Sequence, residues 1–283
     1  AVIAEGVETV EQLDFLREWQ HKVWSAGYLG MAWPKEYGGQ GVDSVYQSIV
    51  DQEMRRQAVP ICFNVIGLGW AGPLINDIGT EEEKARYLKG ILSAEDIWCQ
   101  GFSEPDHGSD LGNARTRAER DGDEYVINGS KIFISAGQHD MAENIVHIVL
   151  ARLPGAPEGT KGISLFIVPR QLPDAQGKAG DANGVNCGSL EHKMGIHGNA
   201  TCTINFDDAK GFLIGEPNKG LKYMFTFMNG ARIGIPRAYF FQSVTPPGAE
   251  TPVGGLSEEE AQRMRDAIGV LIAAGAEIID PAN

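Results

Sequence analysis

The sequence predicts an α+β chain, with a helical domain first and an antiparallel, β-barrel-like domain after it. Three observations carry this. In the first third, apolar residues recur at helical spacing. Near Ile97 the pattern changes to short runs of β-branched residues bounded by Gly, Pro and Asn. Just before that change stands a helix start signal, Thr80 with Glu83 three residues on, the pattern of a capping box.

The elements follow in order. Val10, Leu13, Leu16 and Val23 place one apolar face on a helix over about 7–27. The stretch GYLGMAWPKEYGGQG is a loop, punctuated by Pro34, Gly38, Gly39 and Gly41. Residues 43–58 read as a second helix with Asp43 as N-cap. Residues 61–78, apolar and Gly-rich, read as a buried helix packed closely against its neighbours. The capping box then opens a short helix to about Leu92. Strands follow in EYVINGSKIFIS, NIVHIVLARL and KGISLFIVP. Between Pro169 and Leu190 a polar, Gly-rich loop is expected. A strand resumes at 201–206, and helical periodicity returns from Leu221 to about Ile233. Residues 243–256 form a Pro/Gly-rich linker. Ser257 with Glu260 caps a further helix that Gly275 stops, and AEIID after it reads as one strand without a sheet to join.

Composition narrows the function classes. The 283 residues give room for two or three domains with real cores. The net charge of −14 disfavours a nucleic-acid or anionic-membrane surface, since both need clustered Lys and Arg. The four cysteines are scattered and form no CxxC pair, and the histidines lack metal-site spacing, so no metal site is expected. No apolar run reaches the ~18 residues of a membrane span, and the N-terminal stretch is acidic where a signal peptide is basic. A soluble, cytoplasmic chain is expected.

Residues 98–135 are the most informative. A turn cluster of Ser103, Glu104, Pro105, Gly108, Ser109 and Asp110 is followed by strand-like alternation and a polar-edged segment, Lys131 to Ser135. Gly and Ser beside strand ends leave backbone N–H and hydroxyl groups to face a polar, flat ligand. That suits a flavin better than a metal or a protease triad.

These residues, with WPKEYGG (33–39), GTEEEKARYL (79–88), FSEPDHGSDL (102–111), NGSKIFIS (128–135) and GEPNKGL (215–221), resemble the acyl-CoA dehydrogenase family from about Trp19 to about Gly234. From about Lys131 the chain is similar to the 3-methylmercaptopropionyl-CoA branch. The resemblance implies an N-terminal helical domain over 19–97, a middle β domain over 98–215 and the start of a C-terminal helix over 216–242. It implies FAD as cofactor, an acyl-CoA thioester as substrate, an electron-transfer acceptor as partner, and α,β-dehydrogenation as the reaction. Phe102, Ser103, Gly108 and Ser109 are implied at the flavin pyrimidine edge and pyrophosphate, with Ser109 also near the acyl-CoA. Phe133, Ile134 and Ser135 are implied as the flavin cover, and Arg232 near the thioester.

The family's base is a glutamate of a C-terminal four-helix domain. The residues after Gly234 do not resemble that domain, so it is expected to be absent, no catalytic residue is assigned, turnover is expected to be impaired, and self-association through the uncovered surface is expected. Residues 1–18 resemble a fragment of EAL-type phosphodiesterases, with Glu5 at the place of a site glutamate. Residues 231–241 and 257–283 resemble amidase-signature hydrolases without their nucleophile stretch. Two other functions therefore stay open: a non-catalytic composite that folds but binds flavin or acyl-CoA weakly, and, more remotely, an amidase-type hydrolase.

Overall fold

A computed structural model of the chain describes residues 10–229, apart from 58, 61, 175–177 and 196–198, together with 233–234 and 278–279. Residues 1–9, the linker 243–256, the helix expected from Ser257, and Arg232 lie outside the described residues. The chain divides into two units, Ala1–Tyr223 and Met224–Asn283.

The first unit opens with helices α1 (Val10–Ser25), α2 (Ser44–Arg56), α3 (Gly72–Ile78) and α4 (Glu81–Ser93). Local signals set their starts. The Asp43 side chain accepts the Val45 N–H at 2.8 Å and caps α2. Thr80 and Glu83 close the expected capping box at 3.2 and 2.7 Å, worth about 1 kcal/mol to α4. The segment expected as a buried helix is helical over 65–78, with a π-helical turn (Gly67–Ala71) running into α3. It is buried only in part: Ala71, Leu74 and Ile75 are inside, whereas Val65 is 58% exposed. Its glycines mark close approach. A Cβ on Gly72 would lie 2.0 Å from the Trp33 ring. Around these contacts Tyr87, Leu88, Ile91 and Leu92 of α4 form the helical core with Trp98.

The strands are β1 (Asp96–Gly101), β2 (Arg117–Asp121), β3 (Glu124–Ile134), β4 (Asn144–Arg152), β5 (Ile163–Pro169), β6 (Gln171–Pro173), β7 (Ala179–Ala182), β8 (Val185–Leu190) and β9 (Cys202–Leu213). Seven of them form one sheet in the order β1-β4-β2-β3-β9-β5, with β8 on β9 and a further pairing of β4 with β5. The pairing is antiparallel except that β1 runs parallel to β4 and β2 touches β4 in parallel at one residue pair, Arg117 with Arg152. This qualifies the barrel-like expectation. Strand pairing returns to β4 through that one pair, too little for a closed barrel, which needs a continuous ladder at every seam. The core between the sheet faces is made by Ile127, Ile134, Val149, Phe166, Ile204 and Phe206.

The loop expected between Pro169 and Leu190 instead contains β6, β7 and β8. β8 lies on β9, while β6 and β7 form a separate two-stranded sheet. These strands are polar and largely exposed, so their backbone ladders leave no hydrophobic period to read. Asn183 supports the region from inside, donating to the Pro169 and Lys210 carbonyls at 2.7 and 2.8 Å and accepting the Lys210 N–H at 2.8 Å. Helix α5 is described over Gly220–Asn229; the sequence pattern carries it to about Ile233, but Ile233 is in a strand and residues 230–232 lie outside the described residues. Within the second unit, β10 (Ile233–Gly234) pairs in parallel with β11 (Ile278–Ile279). The C-terminal strand therefore has a partner, one too distant in sequence for local patterning to reveal.

Candidate functional site

The site expected from the sequence sits where β1 leaves the sheet beside the end of β3. After Gly101 the chain turns at Glu104–His107, where the two residues exchange backbone hydrogen bonds, each 3.0 Å. The Ile132 N–H donates to the Ser103 carbonyl at 2.9 Å, so the two candidate segments, 102–109 and 133–135, are adjacent.

Beneath this junction lies a buried ion pair. Lys131 Nζ donates to Glu104 Oε1 at 2.8 Å and to the Phe102 carbonyl at 3.1 Å, with the two side chains 0% and 5% exposed. The Glu104 carboxylate also accepts the Arg115 N–H (2.6 Å), the Thr116 N–H (2.9 Å) and the Thr116 hydroxyl (2.6 Å). Burial alone would push the Glu104 carboxyl up, but the Lys131 charge and these donors hold it below the usual range. Burial draws the Lys131 ammonium down to about 8 against the pull of Glu104. Local sequence pattern does not reveal this pair. A lone Lys in a strand reads as a solvated edge, and its partner lies in a separate turn.

Above the pair, β3 carries a bulge. Lys131 pairs with Ile204 and Ile134 with Cys202, so β3 holds one residue more than β9 over this interval. Phe133 takes the strain, with φ 58°, and its ring is turned out to 64% exposure. Ala136 follows with φ 55° and donates its N–H to Asn199 Oδ1 at 3.2 Å, while Cys99 Sγ donates to the Ala136 carbonyl at 2.9 Å.

The candidate residues separate clearly. Phe102 and Ser103 are half-buried at the junction; Gly108, Ser109, Phe133 and Ser135 are exposed beside it or on its turn. Ile134 is only 2% exposed and belongs to the β core, so its side chain faces away from any ligand on the Phe133 side. Arg232 is outside the described residues. Gly108 has open space where a Cβ would stand, with no protein atom within 4 Å. Among the described residues no group of three or more His, Cys, Asp or Glu is placed to hold a metal ion, and no helix is long and apolar enough to cross a membrane.

Two clefts open in the first unit. One, of about 680 Å³, is lined by Arg115, Arg117, Glu119, Arg152 and Glu158, and begins at Asn113, shortly after Ser109. Arg152 is held there by the carbonyls of Gly112 (2.5 Å), Pro157 (2.6 Å) and Gly159 (3.1 Å). The other, of about 710 Å³, lies in the helical part between α2 and the π-turn, with Trp33, Met54, Val65 and Leu68 in its wall.

Comparison with known proteins identifies this arrangement. Residues 1–95 match "Acyl-CoA dehydrogenase, N-terminal domain", and residues 99–209 match "Acyl-CoA dehydrogenase, middle domain". The chain carries the first two domains of the acyl-CoA dehydrogenase family. The N-terminal match begins at residue 1, so the 1–18 stretch expected as a phosphodiesterase-like fragment falls within the acyl-CoA dehydrogenase match. The chain is similar to 3-methylmercaptopropionyl-CoA dehydrogenase of Ruegeria pomeroyi, with 38% identity over 212 residues, 74% of this chain and 36% of that protein. It is 33% identical over 242 residues to the short-chain specific acyl-CoA dehydrogenase of Clostridium acetobutylicum, covering 82% of this chain and 58% of the relative. The crystal structure of an acyl-CoA dehydrogenase from Geobacillus kaustophilus superposes with a TM-score of 0.60 at 32% identity, covering 75% of this chain and 53% of that one. The chain thus spans about a third to three-fifths of the length of these relatives. Acyl-CoA dehydrogenases are flavoprotein oxidoreductases that use FAD.

Proposed function

We propose that this chain contributes the flavin-holding part of an acyl-CoA dehydrogenase, with FAD as cofactor, an acyl-CoA thioester as substrate and an electron-transfer protein as acceptor. The single observation that carries the proposal is the junction of Phe102–Ser103 with the Phe133 bulge, because it puts two family segments side by side on one open surface.

The residues fit the cofactor. An exposed ring on a strained backbone is disfavoured in water unless it covers something flat and apolar, and Phe133 offers that cover. The free space over Gly108 leaves the turn open to phosphate oxygens, and Ser109 and Ser135 present hydroxyls from exposed positions. The Arg115, Arg117 and Arg152 cleft offers positive charge to an anionic thioester carrier in a chain of net charge −14. When bound, the flavin would supply the hydride-accepting ring for α,β-dehydrogenation. The chain's own part is to orient that ring and to exclude water from the Phe133 face. No residue of this chain is assigned as the base.

The test is direct. The purified chain is incubated with excess FAD, desalted and scanned for the two-band flavin absorbance. A yellow, stoichiometric complex supports the proposal, and a colourless folded protein favours the non-catalytic alternative. Bleaching on addition of acyl-CoA then separates chemistry from binding.

A further inference from the structure

The geometry points to the buried Lys131–Glu104 ion pair as a positioning element that pins the register of the Phe133 bulge and so sets the ring cover over the ligand face. This rests on the flavin reading above but concerns residues buried beneath the ligand face.

Three observations lead to it. First, the β3–β9 ladder is regular through Gly129 with Phe206, Ser130 with Asn205 and Lys131 with Ile204, then breaks, then resumes at Ile134 with Cys202. A bulge relocated by one residue would turn the intervening side chains to the opposite face. Phe133 would then enter the core and Ile134 would leave it. Second, Lys131 is the last regular residue before the break, and its side chain is fully buried. A one-residue slip at Lys131 would part Nζ from Glu104 and leave two buried charges unpaired, which is strongly unfavourable. Third, Glu104 is itself immobilised by Arg115 N, Thr116 N and Thr116 Oγ1, so it acts as a fixed reference rather than a partner that follows. Gly129 permits this, since a Cβ there would come within 2.6 Å of Thr116 Oγ1. The Ile132 N–H to Ser103 bond lies next to the Lys131 anchor and extends the same attachment into the bulge.

Hydrophobic packing of Ile134 alone could hold the strand without any such pair, so the test separates pinning from general stability. The variant Lys131→Met with Glu104→Gln removes both charges together and leaves none unpaired. Amide hydrogen exchange is followed residue by residue, and FAD uptake is read from the visible spectrum. The expected result is exchange at least tenfold faster at Ile132 to Ser135, with Val149 of β4 and Phe166 of β5 unchanged. FAD affinity is expected to fall at least tenfold, with loss of structure in the long-wavelength band. Unchanged exchange at Ile132, or equal acceleration in β4 and β5, overturns the inference. Should the double variant not fold, Thr116→Val keeps both charges and loosens only the Glu104 anchor, with a two- to threefold change in the same local amides expected and none overturning it. If the unaltered chain takes up no FAD, the proposed function fails, and the exchange pattern alone decides the pinning.

Discussion

Gln20 and Asn64 share one acceptor: both side-chain amides donate to the Ile91 carbonyl, at 2.9 and 3.1 Å, while Gln20 Oε1 takes the Asn64 backbone N–H at 3.2 Å. Asn64 also donates to the Asp96 carbonyl at 2.8 Å and accepts the Trp98 N–H at 3.1 Å. Two buried amides thereby tie α1 and α4 to the first strand.

Removing either partner leaves buried main-chain groups unsatisfied, which costs about 1–3 kcal/mol per group. Asn64→Leu is therefore expected to destabilise more than Gln20→Leu, because Asn64 serves both Asp96 and Trp98. Denaturant melts of the two single variants and the double should show a loss smaller in the double than the sum of the singles. Strict additivity would disprove the shared network.

Acid should weaken the β domain through His147. Its ring is fully buried, Nδ1 lies 3.2 Å from the Val168 carbonyl, and Nε2 has no partner among the described residues. Burial pulls its pKa down to about 4 from 6.5. The unfolded chain therefore binds the proton first, so this contribution is complete above about 6.5 and is lost as pH falls toward 4, on the order of 3 kcal/mol in all. Asp96 has the opposite sign. Burial raises it from 3.8 to about 7, so its contribution is complete at low pH and is lost as pH rises through 7. In thermal melts between pH 4 and 8 the two opposite trends offset each other in the unaltered chain, so stability should fall toward acid in Asp96→Asn and rise toward acid in His147→Phe.

Phe133→Gly should separate stability from binding. Glycine accepts φ 58° without strain, and the lost ring is mostly exposed, so the melting temperature is expected to hold or rise, with up to about 1 kcal/mol regained. FAD affinity is expected to fall about tenfold. A variant both less stable and equally tight for FAD would refute the cover role.

Two glycines make opposite predictions. Gly72→Ala forces a Cβ into Trp33 and should lower stability by about 1–3 kcal/mol. Gly108→Val meets open space, so it should change stability by less than about 0.5 kcal/mol while weakening FAD binding. Equal losses of stability at both positions would contradict the geometry.

Helix α2 buries none of its residues, and Val45, Tyr46 and Ile49 are 51%, 52% and 56% exposed on neighbouring turns. Such a stripe favours self-association. Light scattering should give a mass that rises with concentration, reduced by Val45→Lys with Ile49→Lys. A constant monomer mass before substitution would overturn this.

Much of this molecule is legible in the sequence where the signal is local. Asp43 and the Thr80–Glu83 box declare their helices because a cap needs only residues a few positions apart. The Gly and Ser residues of the 102–109 turn were readable for the same reason. What escaped depends on distant partners. The polar strands β6 to β8 gain their order from backbone ladders, and Lys131 is buried because Glu104 arrives from another turn. Ile134, grouped with Phe133 through the family segment, faces the core because the bulge shifts the in–out alternation by one residue, which no periodicity announces.

The parallel pairing of Asp96 with Asn144 carries a consequence for how the protein is made. As the nascent chain leaves the ribosome, the strand that Gln20 and Asn64 brace is synthesised long before its sheet neighbour. Its main chain must wait for β4, so the helices cannot complete their last attachment until residues 144–152 have been translated.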